Sequence, residues 1–178
     1  MLSLAAIANW ETAVLASIAG ATGTPDERDA QITRSGLYAE YPAILGAYLE
    51  LLRFENDPAI ALEALKRLVF LCWYAFSEPS IESGISELPE SSVREIMREL
   101  DTAIVAGNID DELRMMLARY DAVFGYVFEH FGPVRGLATL VAGVSADDVP
   151  PSGVSARQFA GRGQLGMYWQ HLLESMAD

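Results

Sequence analysis

Apolar residues recur along this chain at intervals of three and four, the spacing of one face of an α-helix. Tyr41, Ile44, Leu45, Tyr48, Leu49 and Leu52 form one such stripe. Val93, Ile96, Met97, Leu100 and Ile104 form a second, with Glu90, Arg94, Glu95, Arg98 and Glu99 on the remaining faces. The best-defined stripe is Leu113, Met116, Leu117, Tyr120, Phe124, Val127, Phe128 and Phe131. A last one, Leu165, Tyr168, Trp169 and Leu172, predicts a helix over 164–176. The stretch Met1–Gly20 is apolar around Glu11 and reads as a first amphipathic helix. No segment shows the sustained alternation of a strand, and no Asn-Gly or Asp-Gly hairpin signal occurs.

The boundaries of these helices are marked by proline, which costs nothing in a helix's first turn because the missing N–H has no partner there anyway. Thr24-Pro25-Asp26-Glu27 is a capping box with Pro at the first helical position. Tyr41-Pro42, Asp57-Pro58 and Leu88-Pro89 open further helices. Gly107-Asn108 stops one, Asp110 caps the next, and Gly132-Pro133 ends that. A short helix is expected within 134–144, followed by a loop over 145–155 rich in Ser, Asp, Pro and Gly.

The helix predicted over 58–77 has two unlike halves. Glu63, Lys66 and Arg67 fall on one side of the first half, with Leu62, Leu65 and Val69 on the other, so this half is expected at the surface. From Leu68 to Phe76 the charges cease and apolar or aromatic side chains point in every direction. A helix apolar all round must be covered on all sides. The expectation is a helix that enters from the surface at Pro58 and reaches the centre at Phe76. The fold class that follows is all-α: a single domain over 1–178, a compact bundle or array of about seven or eight helices around a central apolar helix, 58–77.

Composition bounds the function. The chain has 178 residues, is 51% hydrophobic and has a mean hydropathy of +0.18. That is on the rich side for a domain, and a well-filled core accounts for it most simply, although a dimer interface or a ligand pocket would also absorb the surplus. Its 25 acidic residues against 12 basic ones give a net charge of −13. Such a field repels phosphate backbones and anionic lipid, which argues against nucleic-acid and membrane-surface partners. The run 68–76 is about half of the roughly 20 residues a membrane span needs. The N-terminal stretch lacks the basic region of a signal peptide. A single cysteine, Cys72, excludes an internal disulfide and favours a cytoplasmic setting.

Candidate chemistry is sparse. The two histidines, His130 and His171, lack partners at metal-ligand spacing, and no Glu-x-x-His pair of the di-iron kind occurs. There is no Gly-x-Ser-x-Gly elbow, and Cys72 lies in apolar surroundings that keep a thiol inert. Gly161, Gly163 and Gly166 match Gly-x-Gly-x-x-Gly, but no strand precedes them and too little chain follows for a dinucleotide-binding unit. They read as a flexible helix start. No cofactor is implied.

One constellation stands out. Trp73, Tyr74, Phe76, Tyr120, Phe124, Phe128 and Phe131 lie on the two most apolar helices, with Glu78, Asp121 and His130 near the edge of that set. Aromatic stripes at helical spacing usually form core. A carboxylate at the rim of an aromatic cavity would instead bind a cationic or polar small molecule. Trp73, Tyr74, Glu78, Tyr120, Asp121 and His130 are therefore the candidate ligand-binding residues. The acidic, Ser-rich linker 77–88 leaves the end of the apolar run and can form a rim. The favoured reading is a non-enzymatic helical protein that binds a protein partner or its own copy. The second is a small-molecule site in the aromatic cluster. An enzyme would require a close carboxylate–His or Tyr–carboxylate pair in a cleft, which no motif announces.

Overall fold

The computed structural model describes residues 1–131, 134–142 and 154–176, and among these the chain forms ten α-helices and no strand. They are α1 (Leu4–Ala19), α2 (Pro25–Arg34), α3 (Glu40–Phe54), α4 (Pro58–Ser77), α5 (Ser80–Ser83), α6 (Glu90–Ala106), α7 (Asp111–Phe124), α8 (Tyr126–His130), α9 (Leu137–Val141) and α10 (Gly163–Ser175). Short 3₁₀ turns at Leu37–Ala39 and Ala156–Phe159 lead into α3 and α10.

The start signals act as the sequence predicts. Thr24 and Glu27 form a reciprocal capping box on α2 with Pro25 in the first turn. The Asp57 carboxylate accepts the Ala59 N–H and opens α4, and Asp110 does the same for Leu113 at the start of α7. Each such cap satisfies one of the orphan N–H groups of a helix start. Gly107 ends α6 in a left-handed conformation, φ +71°.

The helix count exceeds the expected seven or eight because two short helices interrupt a connection and a stripe, while α9 is the short helix expected within 134–144. α5 lies inside the linker 77–88. α8 corrects the single long helix expected from Asp110 to Phe131, which is broken at Gly125. A side chain there would meet the Asp121 carbonyl oxygen at 2.6 Å and its carboxylate at 2.7 Å. Glycine allows the backbone to close on Asp121 and change direction into α8. The predicted stop at Gly132-Pro133, and all of the predicted loop 145–155 except residues 154–155, lie outside the described residues.

One core draws on every helix. α4 touches α3, α5, α6, α7 and α10. Its buried stretch is shifted from the expectation: every residue from Ala64 to Trp73 is buried, whereas Tyr74 is half-buried and Phe76 is 39% exposed. Lys66 and Arg67, expected at the surface, are only 6% and 5% exposed. Charge is tolerated there because each cation meets carboxylates from another turn or another helix. No helix among the described residues is long and apolar enough to cross a membrane.

Candidate functional site

The C-terminal turns of α4 sort the predicted residues into a core, a surface and a cleft. Trp73 is 1% exposed and Tyr120 is fully buried. Their rings stack at 4.5 Å between centroids. The Trp73 indole N–H donates to the Tyr120 carbonyl at 3.1 Å, and the Trp169 indole N–H donates to the Tyr120 hydroxyl at 3.0 Å. Phe70 and Tyr168 close around this stack. Burial drives the Tyr120 phenol and the Cys72 thiol far above their ordinary ranges, so neither ionises. Trp73 and Tyr120 are thus tightly satisfied core.

On one side of the α4 exit, the rings come out to solvent. Phe76 meets Phe131 edge-on at 5.2 Å and His130 at 6.3 Å, and His130 meets Phe131 at 4.7 Å. Tyr126 lies against Phe124 at 6.0 Å, and its hydroxyl comes within 3.5 Å of the Phe76 carbonyl. Tyr126 is 52% exposed, Val123 39%, and His130 is exposed too. Asp121 and Glu129 border this surface, and burial, then the charge of Glu129, raises the Asp121 carboxyl.

Tyr74 lies about 200° around the helix from Phe76 and faces the other way. It shares a cleft of ≈ 340 Å³ with Leu15, Glu78, Glu82, Gln164, Met167, Tyr168 and His171. Its phenol is pushed up to about 12, first by burial and then by the charge of Glu78. The six predicted residues therefore occupy three places: Trp73 and Tyr120 the core, Asp121 and His130 the aromatic surface, Tyr74 and Glu78 the cleft.

Sequence reasoning missed a buried polar network that crosses the molecule. The Glu11 carboxylate, 1% exposed, accepts the Tyr48 hydroxyl at 2.5 Å and the Gln164 backbone N–H at 2.8 Å. Arg67 donates to the Tyr48 hydroxyl, the Leu4 carbonyl and Glu63. Arg162 bridges Glu63 and Glu112 with four contacts of 2.5–3.0 Å. Lys66 donates to Glu112 at 2.7 Å and Asp110 at 2.6 Å. The signal in the sequence was Glu11 alone in an apolar helix, and Lys66-Arg67 at the mouth of an apolar run. Their partners are distant in sequence, which leaves no local spacing to find.

The same network explains the Gly-x-Gly-x-x-Gly match. Gly163 has φ +62°, and a Cβ on it would stand 2.6 Å from Glu11 Oε1. The glycines bend the chain so that the N-terminus of α10 closes around a carboxylate, as such a terminus closes around a phosphate. Here the anion is the protein's own Glu11.

Compared with family models, curated protein sequences and solved structures, the chain matches none.

The chemistry of the network is structural. Burial raises the Glu11 carboxyl, against the lowering influence of Tyr48, Gln164 and Arg67. Perturbed carboxyls mark catalytic sites only where substrate can reach them, and both Glu11 oxygens are already engaged by the protein. Polar atoms that face accessible space include those of the cleft and of the aromatic surface, and the outer network carboxylates Asp110 and Glu112. A further groove of ≈ 540 Å³, lined mainly by Leu52, Leu62, Leu65, Ala103 and Ile109, is largely apolar.

Proposed function

We propose that this protein acts by binding another protein, and that its working surface is the aromatic cluster at the exit of α4. The observation that carries this reading is that Phe76, at 39% exposure, stands in a ring-to-ring cluster with His130 and Phe131, while Tyr126, at 52%, packs on Phe124 and brings its hydroxyl within 3.5 Å of the Phe76 carbonyl. Scattered exposed apolar residues need no explanation, but contiguous aromatic ones rimmed by charge mark interaction surfaces. Aromatic side chains are also the residue types that dominate interface energetics.

The rim carries the carboxylates Asp121 and Glu129, and its one cation among the described residues, Arg94 beside the Phe131 carbonyl, is already paired with Glu90. A second copy would bring the same carboxylates to the same place, on a chain whose net charge is already −13. The fitting partner is therefore a different protein presenting an apolar anchor flanked by Lys or Arg, which complements both the rings and the rim. This reading needs no catalytic group.

A photo-crosslinking amino acid at position 126, with one at exposed Glu174 as control, tests it in cells. A basic partner captured from position 126 alone is the expected outcome. The purified partner then binds the Phe76→Ser/Tyr126→Ser double variant at least about tenfold more weakly than the wild type. Capture equal at both positions, or equal affinity of variant and wild type, overturns the reading.

A further inference from the structure

The cleft on the opposite side of the α4 exit has a polar group with nothing to satisfy it. Gln164 is 4% exposed, and its Nε2 donates to the Ser83 carbonyl at 2.8 Å. Its Oε1 has no hydrogen-bond partner among the described residues. A buried, unpaired acceptor is costly, and in a residue lining an accessible cleft it points to an incoming donor.

The walls specify what kind of donor. Tyr74 and Tyr168 stand at 68° to each other with centroids 5.8 Å apart, forming an aromatic corner. Leu15 and Met167 supply apolar surface. Glu78 is exposed and has no ion-pair partner among the described residues, while Glu82 is engaged by Arg28 at 2.8 Å. His171 completes the lining and offers an imidazole nitrogen. Among the described residues no basic side chain other than His171 lines the cleft, so an anion finds little to meet there.

We infer that this cleft is a binding site for an organic cation, an alkylammonium group whose N–H donates to Gln164 Oε1, whose charge lies in the corner that the Tyr74 and Tyr168 rings make, and whose stem rests on Leu15 and Met167. The positive charge answers Glu78 directly and the ring faces by cation–π attraction. The volume, ≈ 340 Å³, suits one side-chain-sized group and not a large cofactor. The same head is offered by a free alkylamine and by a lysine side chain, and the test separates them. The site is distinct from the aromatic surface, so either assignment can fail without the other.

Nuclear magnetic resonance titration of the full chain with pentylammonium, N-acetyl-lysine methylamide and neutral pentanol, at constant ionic strength, provides that test. Saturable shifts of the Tyr74, Tyr168 and His171 rings are expected with both cations. Tighter binding of pentylammonium assigns the site to free amines, and tighter binding of the lysine derivative assigns it to a protein side chain. The exposed Glu78→Gln change, which leaves the core untouched, weakens either cation about threefold. No saturation, equal binding of pentanol, or an affinity unchanged in Glu78→Gln overturns the inference.

Discussion

Glu11 and Glu112 belong to one network, yet their carboxyls are displaced in opposite directions. Glu11 is raised because burial outweighs its two hydrogen bonds and Arg67. For Glu112, burial pushes up, but Arg162 and Lys66 together hold it below the usual carboxylate range. The consequences for stability have opposite signs. A raised carboxyl binds its proton more readily in the folded chain than in the unfolded one, so its contribution is complete below the unfolded pKa and is lost as pH rises through the folded one. A depressed carboxyl contributes above the unfolded value and loses that contribution as pH falls. On going from pH 7 to about pH 3.5, below the ordinary carboxylate value, the wild type therefore gains stability relative to Glu11→Gln and loses it relative to Glu112→Gln, as measured by urea unfolding at each pH. At pH 7, Glu112→Gln costs about 1–3 kcal/mol, since it leaves Lys66 and Arg162 short of a partner but at a partly solvated position. The glycines of the α10 start give a second residue-level expectation. Gly161 and Gly163 both have positive φ, but a Cβ on Gly161 meets nothing within 4 Å, whereas on Gly163 it meets Glu11. Gly161→Ala should cost about 1 kcal/mol, the backbone strain alone. Gly163→Ala should cost at least about 2 kcal/mol more in the same assay, because it also expels a buried carboxylate from its donors.

At the scale of elements, what was legible in the sequence was whatever is decided locally. The caps at Thr24, Asp57 and Asp110 act within three residues of themselves, so their motifs name helix starts correctly. Loss of the Asp57 cap, by Asp57→Ala, should cost about 1 kcal/mol in thermal or denaturant unfolding. The apolar stripes of α3, α6 and α7 also became buried faces. What was not legible depends on partners far along the chain. Lys66 and Arg67 look like surface charges on their own helix, and only Asp110, Glu112 and Tyr48 explain why they are buried. The apolar run to Phe76 looks uniform by composition. Tyr74 and Phe76 nevertheless leave the core on opposite sides, because nothing covers the last turn of α4 as it covers Trp73. The candidate set divided for the same reason: helical phase told which residues share a stripe, but not where the stripe stops being covered.

For the whole molecule, two electrostatic effects compete, and ionic strength separates them. A net charge of −13 on 178 residues opposes compaction through repulsion among exposed carboxylates. The ion pairs of the Lys66–Arg67–Arg162 network favour it, but the side chains of these cations are 6–11% exposed and their pairs lie inside contact distance. The Debye length falls from about 30 Å at 0.01 M to about 8 Å at 0.15 M salt, so long-range repulsion across the surface is removed while the buried contacts are screened far less. Surface pairs such as Arg94–Glu90, whose side chains are 51% and 65% exposed, contribute little at either salt. The midpoint of thermal unfolding should therefore rise as sodium chloride increases from 0.01 to 0.15 M, as read by calorimetry. Removing one ion pair of the network at constant net charge, in Lys66→Met/Glu112→Gln, should leave the slope of that rise unchanged. A midpoint that falls with salt would mean that exposed ion pairs, and not surface repulsion, dominate the electrostatics of this fold.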